Sequence, residues 1–169
     1  RGSLYKIYTE ASAGKLKYYK LGYQQQYFRP LTRSVTLMLN GDIGVGDGYG
    51  GRPLPFFKSY YAGGPGSIRG YSFSGVGPRD VLGNGLGGTR RLSGTAEVLF
   101  PVPGAEKDKS LRITAFLDAG QVYARTQKMS LGELRYAVGL GVNWNSPFGP
   151  LRVSVAHPLN RSSEDRIQR

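Results

Sequence analysis

Five stretches of the chain alternate apolar residues with polar or small ones, with a period of two. The clearest is 134–144, where apolar side chains occupy the even positions and Arg135, Gly139 and Asn143 stand among the odd ones. Successive side chains of a β-strand point to opposite faces, so this period predicts strands with one apolar and one polar or small-residue face. The chain is therefore restricted to folds built from sheets.

The alternation and its interruptions predict seven antiparallel strands, at residues 3–12, 17–29, 33–46, 88–100, 110–124, 132–145 and 150–158. Several exceed the usual five or six residues of a strand in a globular protein. Ten residues tilted by about 45° span roughly 23 Å, close to the height of the apolar band of an outer-membrane barrel. The pattern therefore favours an all-β, antiparallel transmembrane barrel over a soluble β fold.

Composition excludes several other classes of protein. The chain has no cysteine, which excludes disulfide scaffolds and cysteine-based metal or redox sites. Its apolar runs are about five residues long, far below the roughly 18 needed for a membrane-spanning helix. Glycine fills 26 of 169 positions, scattered through every segment, which disfavours long helices.

No pattern in the sequence predicts catalysis, a cofactor or a metal. His157 is the single histidine and ends the seventh predicted strand, so a multi-histidine metal site is excluded. Residues 46–51 and 83–88 match the spacing G-x-G-x-x-G, but neither leads into a plausible helix, as a dinucleotide-binding loop must. We expect no enzyme here.

The net charge of +12 allows two interpretations. A phosphate-rich partner, such as lipopolysaccharide, anionic lipid or nucleic acid, would be attracted to the chain. A solvated basic surface is the simpler explanation, because lysine and arginine are spread along the whole sequence without a block of five like charges. We expect no nucleic acid partner.

The connections between the predicted strands alternate between short turns and longer loops, as in outer-membrane barrels. The longest covers residues 47–87 and is rich in glycine and aromatic side chains, which suits a loop folded tightly against a wall. Aromatic residues collect beside the short turns, where a membrane-interface girdle is expected: Tyr27, Phe28, Phe100, Trp144 and Phe148.

Seven strands form an open sheet, and lipid cannot hydrogen-bond the unpaired backbone groups of its two edge strands. We therefore expect these strands to belong to a larger barrel, and the stretch by itself to be inactive. Residues 165–169 could begin a further strand.

Ile68-Arg69-Gly70-Tyr71 resembles the [VIL]-R-G-[FY] signature on the sixth external loop of the BamA and two-partner-secretion superfamily of outer-membrane proteins. The flanking Tyr61-Ala62-Gly63-Gly64 and Gly77-Pro78 are similar to its BamA branch. Phe116-Leu117-Asp118-Ala119-Gly120 resembles the F-x-D-x-G strand of the same superfamily, and residues 146–151 resemble the turn before its next-to-last strand. The resemblance covers essentially the whole chain.

This resemblance implies that residues 1–169 are a C-terminal portion of a sixteen-strand barrel, from about the ninth to the fifteenth strand, with the long loop inserted into the lumen. It implies an outer-membrane location in a Gram-negative bacterium and a role in folding and inserting other β-barrel proteins. The implied partners are unfolded outer-membrane proteins, accessory assembly lipoproteins, outer-membrane lipid and lipopolysaccharide. The remaining strands and the periplasmic POTRA domains would lie elsewhere in the same protein.

Arg69 is expected to lie inside the barrel, where a guanidinium needs carboxylate partners to offset its desolvation. Asp118 lies on the polar face of its predicted strand, and Glu97 lies opposite the apolar residues of its own strand. The family resemblance assigns both carboxylates to Arg69, with Phe116 and Gly120 completing the strand motif. Arginine can hold two carboxylates at once, whereas lysine cannot.

Two alternative functions remain open. One is another member of the superfamily, either a TamA-like assembly factor or a pore that secretes a partner protein. The other is a soluble basic β protein that binds an acidic ligand. A requirement for detergent during extraction would separate the membrane proteins from the soluble one.

Overall fold

The computed structural model describes residues 2–104, 110–163 and 165–167. Its seven antiparallel strands form one sheet in chain order: β1 (Gly2–Ala13), β2 (Lys17–Pro30), β3 (Thr36–Gly48), β4 (Arg90–Pro101), β5 (Leu111–Tyr123), β6 (Arg135–Ser146) and β7 (Gly149–Pro158). The predicted fold class, an all-β antiparallel sheet, is confirmed. Within the described residues, no helix is long and apolar enough to cross a membrane.

The two faces of the sheet differ in chemistry because alternation along each strand separates apolar from polar side chains. The outer face carries large apolar residues that remain exposed, among them Ile43, Leu117, Leu140 and Val155. The inner face is lined by glycine and polar side chains and is covered by the long loop, residues 49–89, which joins β3 to β4.

The buried core lies between this loop and the inner face of the sheet. Tyr60, Ala62, Ile68, Tyr71 and Val76 of the loop pack with residues of β5 and β6 in one hydrophobic cluster. The loop is also paired with itself, since the backbone groups of Tyr60 and Gly88 exchange hydrogen bonds of 2.8 and 2.9 Å. Its 41 residues therefore fill the space that a second layer of secondary structure occupies in most domains.

Three strands begin two or three residues later than the alternation predicts. β3 begins at Thr36 because the preceding turn is closed by a 2.9 Å bond from the Leu31 amide to the Val35 carbonyl. β4 begins at Arg90 because Gly88 pairs within the loop, and β6 begins at Arg135 because residues 131–133 form a single 3₁₀ turn. Local hydrogen bonds outweigh the apolar pattern at these strand ends.

The predicted aromatic girdle is wrong at one position. Tyr27, Phe100 and Trp144 share the parity of the outward-facing residues, but Phe28 lines an inner hollow of about 570 Å³ together with Gln26 and Met38. Adjacent residues in a strand point to opposite faces, so Tyr27 and Phe28 cannot both belong to the same girdle.

Residues 165–167 do not extend the sheet. They lie against the long loop, where Ile167 forms a bridge with Tyr71 and the Ser72 amide donates a 2.9 Å bond to the Arg166 carbonyl. Residues 168 and 169, also part of the expected further strand, lie outside the described residues, as do residues 105–109 of the turn between β4 and β5.

The outward face of β6 provides a test of the membrane assignment. In the full-length protein folded into a bilayer, we expect Leu140→Arg to lower the free energy of unfolding by about 2–4 kcal/mol, because the charge would enter hydrocarbon. Gln26→Arg is the control, since Gln26 lines the inner hollow, and should change stability by less than about 0.5 kcal/mol. Equal losses in both variants, measured by denaturant titration, would contradict the assignment of the two faces.

Candidate functional site

The three residues of the F-x-D-x-G motif lie on the inner face of β5, two positions apart, and each contacts the loop signature. Phe116 lies beneath the Arg69 guanidinium, Asp118 binds it, and Gly120 leaves room for Ile68. A Cβ atom at position 120 would lie 2.9 Å from Ile68 Cδ1. The period of two that defines the strand therefore also aligns these residues under the loop.

Arg69 and Asp118 form a forked ion pair. Nε donates to Oδ2 at 2.7 Å and Nη2 donates to Oδ1 at 2.8 Å, so that both carboxylate oxygens are engaged. The backbone amide of Arg69 donates a third bond to Oδ2, at 3.0 Å. Such bidentate charge-assisted bonds fix orientation as well as distance, so the loop is held in one position relative to β5.

Glu97 of β4 supplies the second carboxylate. Its Oε2 accepts a 3.1 Å bond from Arg69 Nη1, while its Oε1 accepts a 3.4 Å bond from Asn143 Nδ2 of β6. In the register of the sheet Glu97 lies directly opposite Phe116. The two carboxylates therefore approach the guanidinium from neighbouring strands, and one arginine ties β4 and β5 to the loop.

An aromatic ring completes the site. The Cζ atom of Arg69 lies 3.2 Å from the centroid of the Phe116 ring, within range of a cation–π interaction. The ring itself lies over Gly139 of β6, where an added Cβ would meet Phe116 Cζ at 2.5 Å. A glycine at position 139 thus leaves the space that the Phe116 ring occupies beneath the guanidinium.

The charges of the site are removed from solvent. Asp118 is fully buried and Glu97 is 6% exposed. Burial by itself would lower the pKa of Arg69, but its bonds to Asp118 and the charge of Glu97 raise it above the ordinary arginine value. A buried carboxylate is tolerated only when it is paired, so Asp118 and Arg69 depend on each other.

The neighbours of Arg69 in the signature hold the turn against the wall. Ile68 and Tyr71 are fully buried, and the Tyr71 hydroxyl donates a 3.4 Å bond to the Tyr136 carbonyl of β6. Gly70 has a φ of 86°, which residues with a side chain rarely adopt, and it lies against Ala156 of β7. The four signature residues thus contact β4, β5, β6 and β7.

Two glycines that precede the signature, Gly63 and Gly64, close its turn. Gly63 and Gly64 have φ values of 108° and 90°. The Gly64 amide donates bonds to the carbonyls of Ile68 and Tyr71, at 3.1 and 2.9 Å, and a Cβ on Gly63 would lie 2.2 Å from the Ser72 carbonyl oxygen. Only glycine provides both the backbone angle and the close approach.

Tyr60 is a second contact point between loop and sheet that sequence reasoning missed. Its ring is buried over Gly44 of β3, with Lys20 Nζ 4.2 Å and Arg91 Cζ 5.3 Å from the ring centroid. Arg91 is itself held by Asp42 through a 2.6 Å ion pair. The signal in the sequence was the alternate glycines of β3, which mark a place where another group approaches closely.

The segment after β7 was also missed as a contact of the loop. Asp165 pairs with Arg135 of β6 at 2.5 Å, and the Arg166 amide donates a 3.1 Å bond to the Gly75 carbonyl of the loop. Residues 165–167 therefore contact the loop at Tyr71, Ser72 and Gly75. The apolar period of the sequence does not predict a contact of this kind, because these residues belong to no strand of the sheet.

The described residues contain no group of three or more histidine, cysteine, aspartate or glutamate side chains that could hold a metal ion. His157 is exposed on β7. The two glycine-rich stretches, 46–51 and 83–88, lie at the end of β3 and in the long loop. In the described residues neither leads into an α-helix, and a single 3₁₀ turn, Phe56–Lys58, follows the first of them. The contacts described at this site are ion pairs and packing between the loop and the sheet.

The Omp85 superfamily domain matches residues 1–169. The chain is 37% identical over 200 residues to the outer membrane protein assembly factor BamA of Neisseria meningitidis serogroup B, in a match that covers 100% of this chain and 25% of that protein. It is 27% identical to the sorting and assembly machinery component 50 homolog of Mus musculus, covering 99% of this chain and 39% of that protein.

The fold also matches a solved structure of the superfamily. The crystal structure of BamA from Haemophilus ducreyi lacking POTRA domains 1–3 superposes with a TM-score of 0.89 and 25% sequence identity, over 99% of this chain and 37% of that chain. The chain thus spans a quarter to two fifths of the length of these relatives.

Removal of the guanidinium should be costly. In the full-length protein, Arg69→Ala leaves Asp118 buried without its partner, and we expect a loss of about 3–5 kcal/mol in the free energy of unfolding. Arg69→Lys should lose part of this free energy, because a single ammonium group cannot bind both oxygens of Asp118 and also reach Glu97. Arg33→Lys, at an exposed turn residue, is the matched control. Denaturant titration and protease sensitivity of the loop measure the effect, and unchanged values in both Arg69 variants would contradict this role of Arg69.

Two glycines of β3 provide a second test. A Cβ at Gly44 would meet the Tyr60 ring at 2.7 Å, whereas one at Gly41, on the outer face, meets nothing within 4 Å. We expect Gly44→Ala to displace Tyr60 and to destabilise the protein by about 1–3 kcal/mol through overpacking. Gly41→Ala should be neutral. If the two variants are equally protease-resistant and equally stable, Tyr60 does not hold the loop.

Proposed function

The chain belongs to the Omp85 superfamily, and on that premise we propose that it is part of an assembly factor that folds β-barrel proteins and inserts them into the outer membrane. The chain itself is a segment of an outer-membrane β-barrel of a Gram-negative bacterium. Three bacterial relatives carry the name outer membrane protein assembly factor, which supports the proposal.

The observation that carries this proposal is the loop fixed across the inner face of the sheet. Arg69 engages Asp118 and Glu97 on two strands at once, and Tyr60 contacts β3. An arrangement of this kind stiffens a wall without presenting a nucleophile, general base or cofactor site. It fits a protein that acts by shape and strand pairing.

We propose that Arg69, Asp118 and Glu97 act as the anchor of the loop in the working protein, with Phe116 and Gly120 as its platform. The rest of the signature, Ile68, Gly70 and Tyr71, holds the turn in register with the anchor. The described strands then serve as a rigid part of the barrel wall. Insertion itself would proceed by templated pairing at a strand edge, in the manner of β-augmentation, without covalent chemistry.

The proposed substrates are unfolded outer-membrane β-barrel proteins. Their strands need backbone partners before they enter lipid, because an open edge in hydrocarbon is strongly unfavourable. Accessory assembly lipoproteins are further proposed partners, and they would act on parts of the full-length protein beyond these seven strands. Lipid and lipopolysaccharide of the outer membrane would surround the exposed apolar face.

Reconstitution tests the proposal. The full-length protein in lipid vesicles should accelerate folding of a urea-denatured β-barrel precursor, measured by heat-modifiable gel migration, relative to empty vesicles. We expect Arg69→Lys to slow this acceleration severalfold, since a looser loop leaves the wall less rigid. Arg33→Lys should match the unaltered protein.

Two outcomes would favour the alternatives. Vesicles that export a partner protein but do not accelerate precursor folding would identify a two-partner secretion pore. A full-length protein that stays monodisperse without detergent would identify a soluble β protein and overturn the membrane assignment. If the Arg69→Lys variant accelerates precursor folding as the unaltered protein does, the proposed function stands, but the anchor plays no part in its mechanism.

A further inference from the structure

The segment that follows β7 stays attached to β6 beyond the end of the β6–β7 ladder. The Leu159 amide donates a 2.9 Å bond to the Tyr136 carbonyl. The Asn160 side chain accepts a 2.7 Å bond from the Tyr136 amide and donates a 2.7 Å bond to the Leu134 carbonyl. Because the ladder ends at Ala137, these bonds satisfy the backbone groups of β6 that β7 does not reach.

Asp165 joins the same segment to β6 through a largely buried ion pair. Its Oδ2 accepts a 2.5 Å bond from Arg135 Nε and a 2.6 Å bond from the Ser162 amide. The side chains of Asp165 and Arg135 are only 4% and 19% exposed. Removing one partner of a pair that is withdrawn from water costs more than removing one partner of an exposed pair. The charge of Asp165 therefore holds the segment in place.

The residues next to Asp165 bind the long loop directly after its signature. The amide and the hydroxyl of Ser72 donate bonds of 2.9 and 2.8 Å to the carbonyls of Arg166 and Ile167. The Arg166 amide donates a 3.1 Å bond to the Gly75 carbonyl. Three hydrogen bonds thus connect the segment to residues 72–75 of the loop.

Tyr71 of the signature contacts both the segment and β6. Its backbone forms a bridge with Ile167, its hydroxyl donates a 3.4 Å bond to the Tyr136 carbonyl, and its side chain is fully buried. We call the described residues that follow β7 the clasp: 159–163 and 165–167. The loop is thus held at two places, by Arg69 on β4 and β5 and by the clasp on β6.

We propose that Asp165 is a second positioning residue of the loop, which acts through Arg135 to keep the clasp closed on residues 71–75 while the protein works. Within the described residues its hydrogen bonds are to Arg135 and Ser162. Its effect on the loop therefore passes through the position of Arg166 and Ile167, which bind the loop themselves.

The clasp also determines how the chain leaves β7. It begins at Leu159, directly after the strand ends at Pro158, and β7 is the last strand of the described sheet. The loop, the start of β6 and the end of β7 are then one body. The consequence for assembly rests on the proposed function, because a strand edge that serves as a template must keep its register.

The contacts favour a clasp that stays closed over one that opens during each round of assembly. Opening would separate Asp165 from Arg135, break the three hydrogen bonds to the loop and uncover the buried ring of Tyr71. Charge-assisted bonds and buried aromatic area are both costly to lose. The closed clasp is therefore the state in which the loop is held.

Trypsin cleavage after Arg79 in the full-length protein tests the role of Asp165. Arg79 Nη2 donates a 3.1 Å bond to the Ser74 carbonyl, so the cleavage site is tied to the part of the loop that the clasp binds. Asp165→Asn removes the charge and retains the size, and we expect cleavage about tenfold faster. Asp47→Asn is the matched control: its partner, Arg125, is 64% exposed, and the rate should change less than about twofold.

A disulfide tests whether Asp165 acts through the clasp. Ser72 and Arg166 lie opposite each other beside the Tyr71–Ile167 bridge, where Cα atoms are about 5.5 Å apart, a separation that suits a disulfide. We expect the oxidised Ser72→Cys with Arg166→Cys pair to restore slow cleavage in the Asp165→Asn protein, and a reductant to remove the restoration. Fast cleavage with the disulfide formed, or no effect of Asp165→Asn, would overturn the proposal.

Precursor folding in lipid vesicles tests the clasp at work. We expect Asp165→Asn to slow the acceleration severalfold, and the oxidised Ser72→Cys with Arg166→Cys protein to match its reduced form. Loss of acceleration on oxidation, regained with a reductant, would show that the clasp must open and would overturn the proposal, as would normal acceleration by Asp165→Asn. The unaltered protein judges the assembly function itself, and the cleavage rates judge the clasp whether or not that function holds.

Discussion

The buried carboxylate of Asp118 is the constraint on which the rest of the structure depends. A fully buried charge on the wall of a sheet is stable only with a partner of opposite charge, and Arg69 supplies it with three hydrogen bonds. Because Arg69 lies 49 residues away along the chain, this pairing fixes the path of the whole loop. Glu97 then binds the remaining Nη1 of the guanidinium, and the Phe116 ring packs against its Cζ atom.

Glycine on the inner face makes this loop packing possible. Gly44 accommodates Tyr60, Gly120 accommodates Ile68, and Gly139 accommodates the Phe116 ring that supports Arg69. In most domains two layers of secondary structure exclude water from a core, but here a loop with almost no regular structure does so. The high glycine content is therefore a packing requirement at these positions, where a Cβ would collide with a ring or a side chain, more than a source of flexibility.

Much of the fold follows from local pattern. The period of two was explicit in five stretches, and together with its interruptions it predicted all seven strands and the outward apolar face. The parity of Asp118 and Glu97 placed both on the inner wall, where Arg69 meets them. Where prediction failed, a non-local contact or a turn had replaced the pattern. Phe28 was assigned to the girdle despite its parity, and local hydrogen bonds shifted the starts of three strands. Tyr60 was missed because its partners lie on three different strands, β2, β3 and β4.

The sequence by itself determined the strands, the two faces and the family signature, because side-chain alternation is a local property and the motifs are contiguous. Tertiary structure alone decided that Arg69 forks Asp118, that Tyr60 packs over Gly44, and that residues 165–167 cover the loop. These contacts join segments that are 16 to about 100 residues apart. Their geometry depends on the register and curvature of the sheet, which no local pattern encodes.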